Sequence, residues 1–260
     1  MFCAFDVRGV GVDVSFEAVG LQNYNQGRRQ VLEALEEFVG EDGSIDGTRL
    51  QDSWFPQIQA DVFLSHSHGD EALALRLAGW LWQRFRLRVF VDSCVWGCSA
   101  ELLKRIDNKY CRIPGQESYS YEKRSLSTSH VHMMLSTALA KMIDRAECAW
   151  VLNTGNSITT REAIDSTKSP WIFSEIAMMH VVRRRDPRDH RDMTKLAKAQ
   201  REGLERPLVI TYNVDLRGFE PISQDIIVRW SMAQKVPADV GTHPLDLLYR
   251  FYPKLAQGAP

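Results

Sequence analysis

Apolar residues along the chain fall into short bursts and helical stripes that alternate. Asp61-Val62-Phe63-Leu64-Ser65 is a compact apolar run of the kind that forms a strand buried on both faces. Asp70 then stands as a helix cap, and Leu73, Leu77, Trp80 and Leu81 recur at helical spacing to about Phe85. Arg88 to Asp92 predicts a second strand, Ser93 to Ser99 a loop, and Leu102, Leu103 and Ile106 the inner stripe of another helix. The polar, Ser- and Tyr-rich stretch 108–129 reads as an insertion. Helix is expected from about His130 to Ala146, strand from Cys148 to Asn153, and helix from Pro170 to about Arg184. Pro207 to Tyr212 predicts a further strand, and Leu245 to Leu255 a last helix.

Upstream the pattern is different. Alternation through Val10, Val12, Val14 and Phe16 suggests a strand or two. Val31, Leu32, Leu35 and Phe38 place a helix over Gln26 to Val39, closed by Gly40. Glu41 to Gly47 carries turn chemistry. Residues 1–58 therefore read as an N-terminal extension packing on a main domain at 59–256. In that domain strands alternate with helices, which implies an α/β fold with a parallel sheet covered on both faces. Such sheets bind ligands beyond the carboxyl ends of their strands, where strand order switches. Position alone thus nominates Ser65 to His68, Asp92 to Cys98, and Asn153 to Asn156.

Composition narrows the classes. With 260 residues, 44% hydrophobic and 25% charged, the chain can bury a core without staples. Thirty-two basic against 33 acidic side chains leave no basic surplus for a nucleic-acid partner. No apolar run approaches the roughly 18 residues of a membrane helix, and Asp6 and Arg8 interrupt the first apolar stretch, unlike a signal peptide. Five scattered cysteines suit reduced thiols, so a cytoplasmic location is expected.

Three constellations carry candidate chemistry. Ser169 and Pro170 specify a helix start, and Trp171 and Glu175, four apart, share its face one turn in. A carboxylate beside an indole near a strand-end crevice is a partly desolvated acid with a flat apolar wall. An amphipathic helix with an exposed Glu and a core Trp gives the same spacing. His66-x-His68-x-Asp70 after a strand invites a metal reading, because metallo-β-lactamase-like hydrolases use a similar run. Here, however, Glu71 follows where a histidine is needed, and the upstream region offers a helix instead of strands. Cys94 and Cys98 flank Trp96, but no second pair at zinc-finger spacing completes a site. No glycine-rich phosphate loop appears.

Taken in order, Asp61-Val62-Phe63-Leu64-Ser65-His66, the amphipathic helix, Val89-Phe90-Val91-Asp92, the loop with Gly97, Ala149 to Asn153, and Ser169-Pro170-Trp171 to Glu175 resemble a Toll/interleukin-1 receptor (TIR) domain. The likeness is in particular to the bacterial members that consume NAD. The resemblance covers about Gln59 to Tyr212, or to Leu255 with the final helix. It implies a flavodoxin-like doubly wound sheet, with Glu175 as catalytic residue and Ser65, His66, Asp92, Trp96 and Trp171 lining the substrate site. NAD+ would be the substrate, with no cofactor and no metal. A protein of this size is similar to the sensor subunit of Thoeris-type anti-phage systems, which implies activation as a homo-oligomer. It also implies a separate effector reached through an ADP-ribose-derived signal. The cysteine-bearing loop, the 108–129 insertion and the N-terminal extension depart from the common domain. Either of the latter two would place His130 or His132 at the site if it covers the cleft. A catalytically silent TIR interaction module is the second reading, and a metallo-hydrolase using His66, His68 and Asp70 the third.

Overall fold

The computed structural model describes residues 1–28, 35–39, 45–55, 57–161, 164–167, 169–187, 190, 212–213, 216–233 and 243–256. Five strands form one all-parallel sheet: β1 (Cys3–Arg8), β2 (Val62–Ser65), β3 (Val89–Val91), β4 (Cys148–Asn153) and β8 (Glu220–Ile222). Their spatial order is β3-β2-β4-β1-β8. Helices surround this sheet: α1 (Glu17–Arg28), α2 (Gly47–Trp54), α3 (Glu71–Phe85), α4 (Ser93–Ile106), α5 (Tyr121–Arg145), α6 (Pro170–Val181), α7 (Gln224–Ala233), α8 (Pro244–Tyr249) and α9 (Pro253–Ala256). The expected α/β doubly wound parallel sheet is the fold of the chain. Among the described residues no helix is long and apolar enough to cross a membrane.

The run β3-β2-β4 reproduces the opening of the flavodoxin-like strand order. The next place is filled by β1, from the very segment expected to be an extension. That expectation is corrected: β1 is an interior strand, paired in parallel with β4 from Cys3↔Cys148 to Arg8↔Asn153 and with β8 on its other edge. Asp6 and Arg8 disguise it in the sequence by breaking the apolar run. The alternating valines that follow form no strand, and Val14–Phe16 is a single 3-10 turn. The first 58 residues are tied in further by α1, whose Gly20 faces Gly79 of α3. A Cβ on Gly20 would lie 1.9 Å from the Leu75 carbonyl oxygen, and one on Gly79 would lie 2.1 Å from that of Phe16. Only residues without side chains permit so close a crossing.

Other boundaries also move. The 108–129 stretch forms a π-turn (Asp107–Cys111), a short loop and the first turns of α5, which starts at Tyr121 and not near His130. Its polar first turns project outward, and the buried stripe (Val131, Leu135, Ala138, Leu139, Met142, Ile143) begins only later. The expected loop at Ser93 is already helical. A small antiparallel sheet of β5 (Thr159–Arg161), β6 (Ile164–Thr167) and β7 (Tyr212–Asn213) precedes and flanks α6. Of the strand expected at Pro207 to Tyr212, only Tyr212 lies within the described residues. Of the helix expected at Gln26 to Val39, the described parts are the end of α1 and a 3-10 turn at Leu35–Phe38, and residues 29–34 lie outside the described residues. The core is aromatic: Trp150 at the centre of β4 packs with Trp230, which stacks on Phe85, and with Phe5, which stacks on Tyr249.

Candidate active site at the strand tips

β2 leads outward through α3 to the edge strand β3, whereas β4 leads toward the opposite edge at β8. The switch in direction therefore falls between the neighbouring tips of β2 and β4. Ser65 ends β2 there, with His66 next. Asp92 follows β3, and its backbone N–H donates to the Leu64 carbonyl at 3.2 Å, which holds it beside the tip of β2.

α6 brings the fourth group. Ser169 caps it by accepting from the Ile172 N–H at 3.3 Å, and Pro170 occupies the first turn, as the sequence predicts. One turn on, the Ser65 hydroxyl donates to Glu175 Oε2 at 2.6 Å. The His66 N–H donates to Asp92 Oδ2 at 3.2 Å, and the His66 imidazole Nδ1 meets the other Asp92 oxygen. The Asp92 and Glu175 carboxyls, both wholly buried at these tips, act on each other electrostatically. Ser65, His66, Asp92 and Glu175 are each 0% exposed. The exposed-Glu reading of the Trp-x-x-x-Glu helix is thereby excluded.

Burial governs the charges. Removal from water pushes the Glu175 carboxyl well above the usual range, and the facing Asp92 charge pushes the same way, against the Ser65 hydrogen bond. Burial raises Asp92 too, opposed by its hydrogen bonds from Glu175, His66 and Ser93. His66 is pushed down to about 4 by desolvation, with Glu175, Glu71 and Asp70 pulling it back only in part. It is therefore neutral near pH 7, so the close approach of its Nδ1 to Asp92 is not an ion pair, and the hydrogen bond between the two residues is the one from the His66 backbone N–H.

Asp70, expected to cap α3, makes no such cap bond. Its carboxylate instead accepts from the Ser67 and Thr154 hydroxyls, both at 2.5 Å, and from Asn156 Nδ2 at 2.9 Å. It thus laces the turn after β2 to the turn after β4. The metal grouping of His66, His68 and Asp70 does not assemble. His66 is buried on Asp92, His68 is exposed, and Asp70 is engaged with three donors. No three His, Cys, Asp or Glu among the described residues converge on a metal position.

Trp171 is half-buried, and His132 of α5 meets its ring edge-on with centroids 5.3 Å apart. His130 lies on the same helix but is exposed. The side chains of Cys94 to Cys98, including the candidate Trp96, lie outside the described residues. One residue the sequence did not nominate is Asp6, buried beside the tip of β4, which accepts from Asn153 Nδ2 at 2.8 Å and from Arg8. Its signal was the acid within an otherwise apolar run.

Two cavities lie elsewhere. One of about 210 Å³ is bounded by Val12, Phe16, Trp80, Gln224 and Met232, and one of about 50 Å³ by Tyr24, Ile58 and Val89. Neither is lined by Ser65, His66, Asp92, Trp171 or Glu175. In comparisons with known proteins, no family model, curated protein or solved structure matches the chain.

Proposed function

We propose that the chain is an NAD+-cleaving enzyme of the TIR type, with Glu175 as its catalytic carboxylate. The observation that carries this reading is the position of Glu175: wholly buried at the strand tips, held by Ser65 and set against Asp92. The chemistry suits one acid. Nicotinamide leaves NAD+ as a neutral base, so no general acid is required. The electron-poor ribosyl centre that develops is stabilised by a nearby carboxylate, as in glycoside cleavage. A cationic nicotinamide-ribose also favours the ionised form of a carboxyl that burial keeps protonated. Trp171 walls the nicotinamide-ribose side, and His132 backs it.

On this reading the closed cluster is the resting arrangement, and activation by self-association opens it. The product is ADP-ribose or a cyclic or conjugated relative that signals to a separate effector, as in anti-phage immunity. The decisive experiment is mass spectrometry of what the full-length protein forms from NAD+, alone, concentrated, and in lysate from phage-infected cells. Nicotinamide with an ADP-ribose product supports the reading. Unchanged NAD+ under all three conditions defeats it.

One observation favours a second reading, a silent TIR interaction module: Glu175, Asp92, Ser65 and His66 present no exposed surface to a ligand in this arrangement. Such a module would self-associate on stimulation with NAD+ left intact.

A further inference from the structure

Two facing carboxyl groups are more than one stabilising acid requires. Glu175 receives a single hydroxyl donor, from Ser65 onto Oε2, while its Oε1 is buried with no hydrogen-bond donor directed at it among the described residues. Asp92, from the end of β3, accepts the His66 backbone N–H on Oδ2, its Oδ1 is likewise buried with no hydrogen-bond partner among the described residues, and it acts electrostatically on the same Glu175 carboxyl. Two like charges in contact and out of water do not both persist, so such a pair holds a proton between its members.

The other groups facing the pair do not relieve this. His66, against Asp92, is neutral, and Asp70 and Glu71 at the start of α3 act on His66 with the same negative sign. His132 stands against Trp171, one turn before Glu175, and burial lowers its affinity for a proton as well.

From this geometry we infer that Asp92 is a positioning residue for Glu175: the two carboxyl groups share one proton in the closed site. Asp92 thereby sets the charge that Glu175 presents to a cationic ligand. The inference rests on the NAD+ reading only for its consequence on rate, since the shared proton is a property of the protein alone.

The test uses the full chain with carboxyl-13C-labelled Asp and Glu. The Glu175 signal is assigned by its loss in Glu175→Gln, and the Asp92 signal by its loss in Asp92→Asn. In the wild type, both carbons should respond to the same two titration steps. In Asp92→Asn, which keeps an acceptor for the His66 and Ser93 N–H groups, the Glu175 midpoint should fall by about one pH unit or more. That is about a tenfold loss of proton affinity, and the pH profile of nicotinamide release should move to lower pH with it. Independent single-step titration of the two carbons in the wild type would overturn the inference, and the titration itself is made on the unaltered chain. So would an unchanged Glu175 midpoint in Asp92→Asn. A shifted midpoint without nicotinamide release would leave the shared proton standing and remove the NAD+ reading. Release with an unshifted midpoint would do the reverse.

Discussion

At the amino ends of the strands, Glu147 is buried beside Cys3 and Cys148, and the Tyr249 phenol donates to its Oε1 at 2.9 Å. At the carboxyl ends, Asp92 and Glu175 are both wholly buried, the first on His66 and the second on Ser65. The first arrangement gives one acid a matched donor from a helix that packs on the core, which is how a fold satisfies a buried polar group. The second sets acid against acid and gives Glu175 a single hydroxyl. Asp70, in the turn after β2, shows that this end of the sheet is well able to supply donors, since it receives three. Glu175 is the acid at this end that receives only one donor, with its Oε1 left without a partner. Such an arrangement opposes stability and is characteristic of groups that perform chemistry.

The comparison is sharpened first at the amino end. Tyr249→Phe removes a donor from buried Glu147 and should cost about 1–3 kcal/mol of stability. Urea unfolding measures this, and nicotinamide release per folded molecule should be unchanged. A loss of turnover there would erase the distinction between the two ends. Trp171→Ala should act in the opposite sense, lowering turnover about tenfold or more while unfolding stays cooperative. Global unfolding would show that Trp171 belongs to the core and does not wall a pocket.

The smallest effect is on pH dependence. Glu175 and Asp92 have folded-state proton affinities above their ordinary values of 4.5 and 3.8, so their contribution is fully present below those values. It is lost as pH rises through the raised folded values. His66, lowered from 6.5 to about 4, works oppositely: its contribution is present above pH 6.5 and lost as pH falls toward 4. Glu175→Gln should therefore flatten the alkaline decline in unfolding free energy and leave the acid-side loss in place. A steeper alkaline decline in that variant would contradict the assignment.

Much of this architecture was legible because it is local. The apolar run at Val62–Ser65, the Ser169-Pro170 helix start and the four-residue spacing of Trp171 and Glu175 are set by neighbours in sequence, and the structure has them. What sequence periodicity missed depends on distant partners. β1 reads as broken because Asp6 and Arg8 interrupt it, yet Asn153 on the neighbouring strand satisfies Asp6. Asp70 reads as a cap, but side chains 84 and 86 residues away claim its carboxylate. The closeness of Asp92 to Glu175 has no sequence signature, since it arises only when α6 folds over the tips of β2 and β3.

The most direct test of Glu175 is a pair of measurements on Glu175→Gln: nicotinamide released from NAD+, and the unfolding midpoint at neutral pH. We expect release to fall by about 10²–10³-fold, the scale for loss of one preorganised electrostatic group. The midpoint should hold or rise, because a donor-poor buried acid has been replaced. Release equal to that of an active wild type, or a collapsed midpoint with no change in release per folded molecule, would contradict the account and make Glu175 a structural residue.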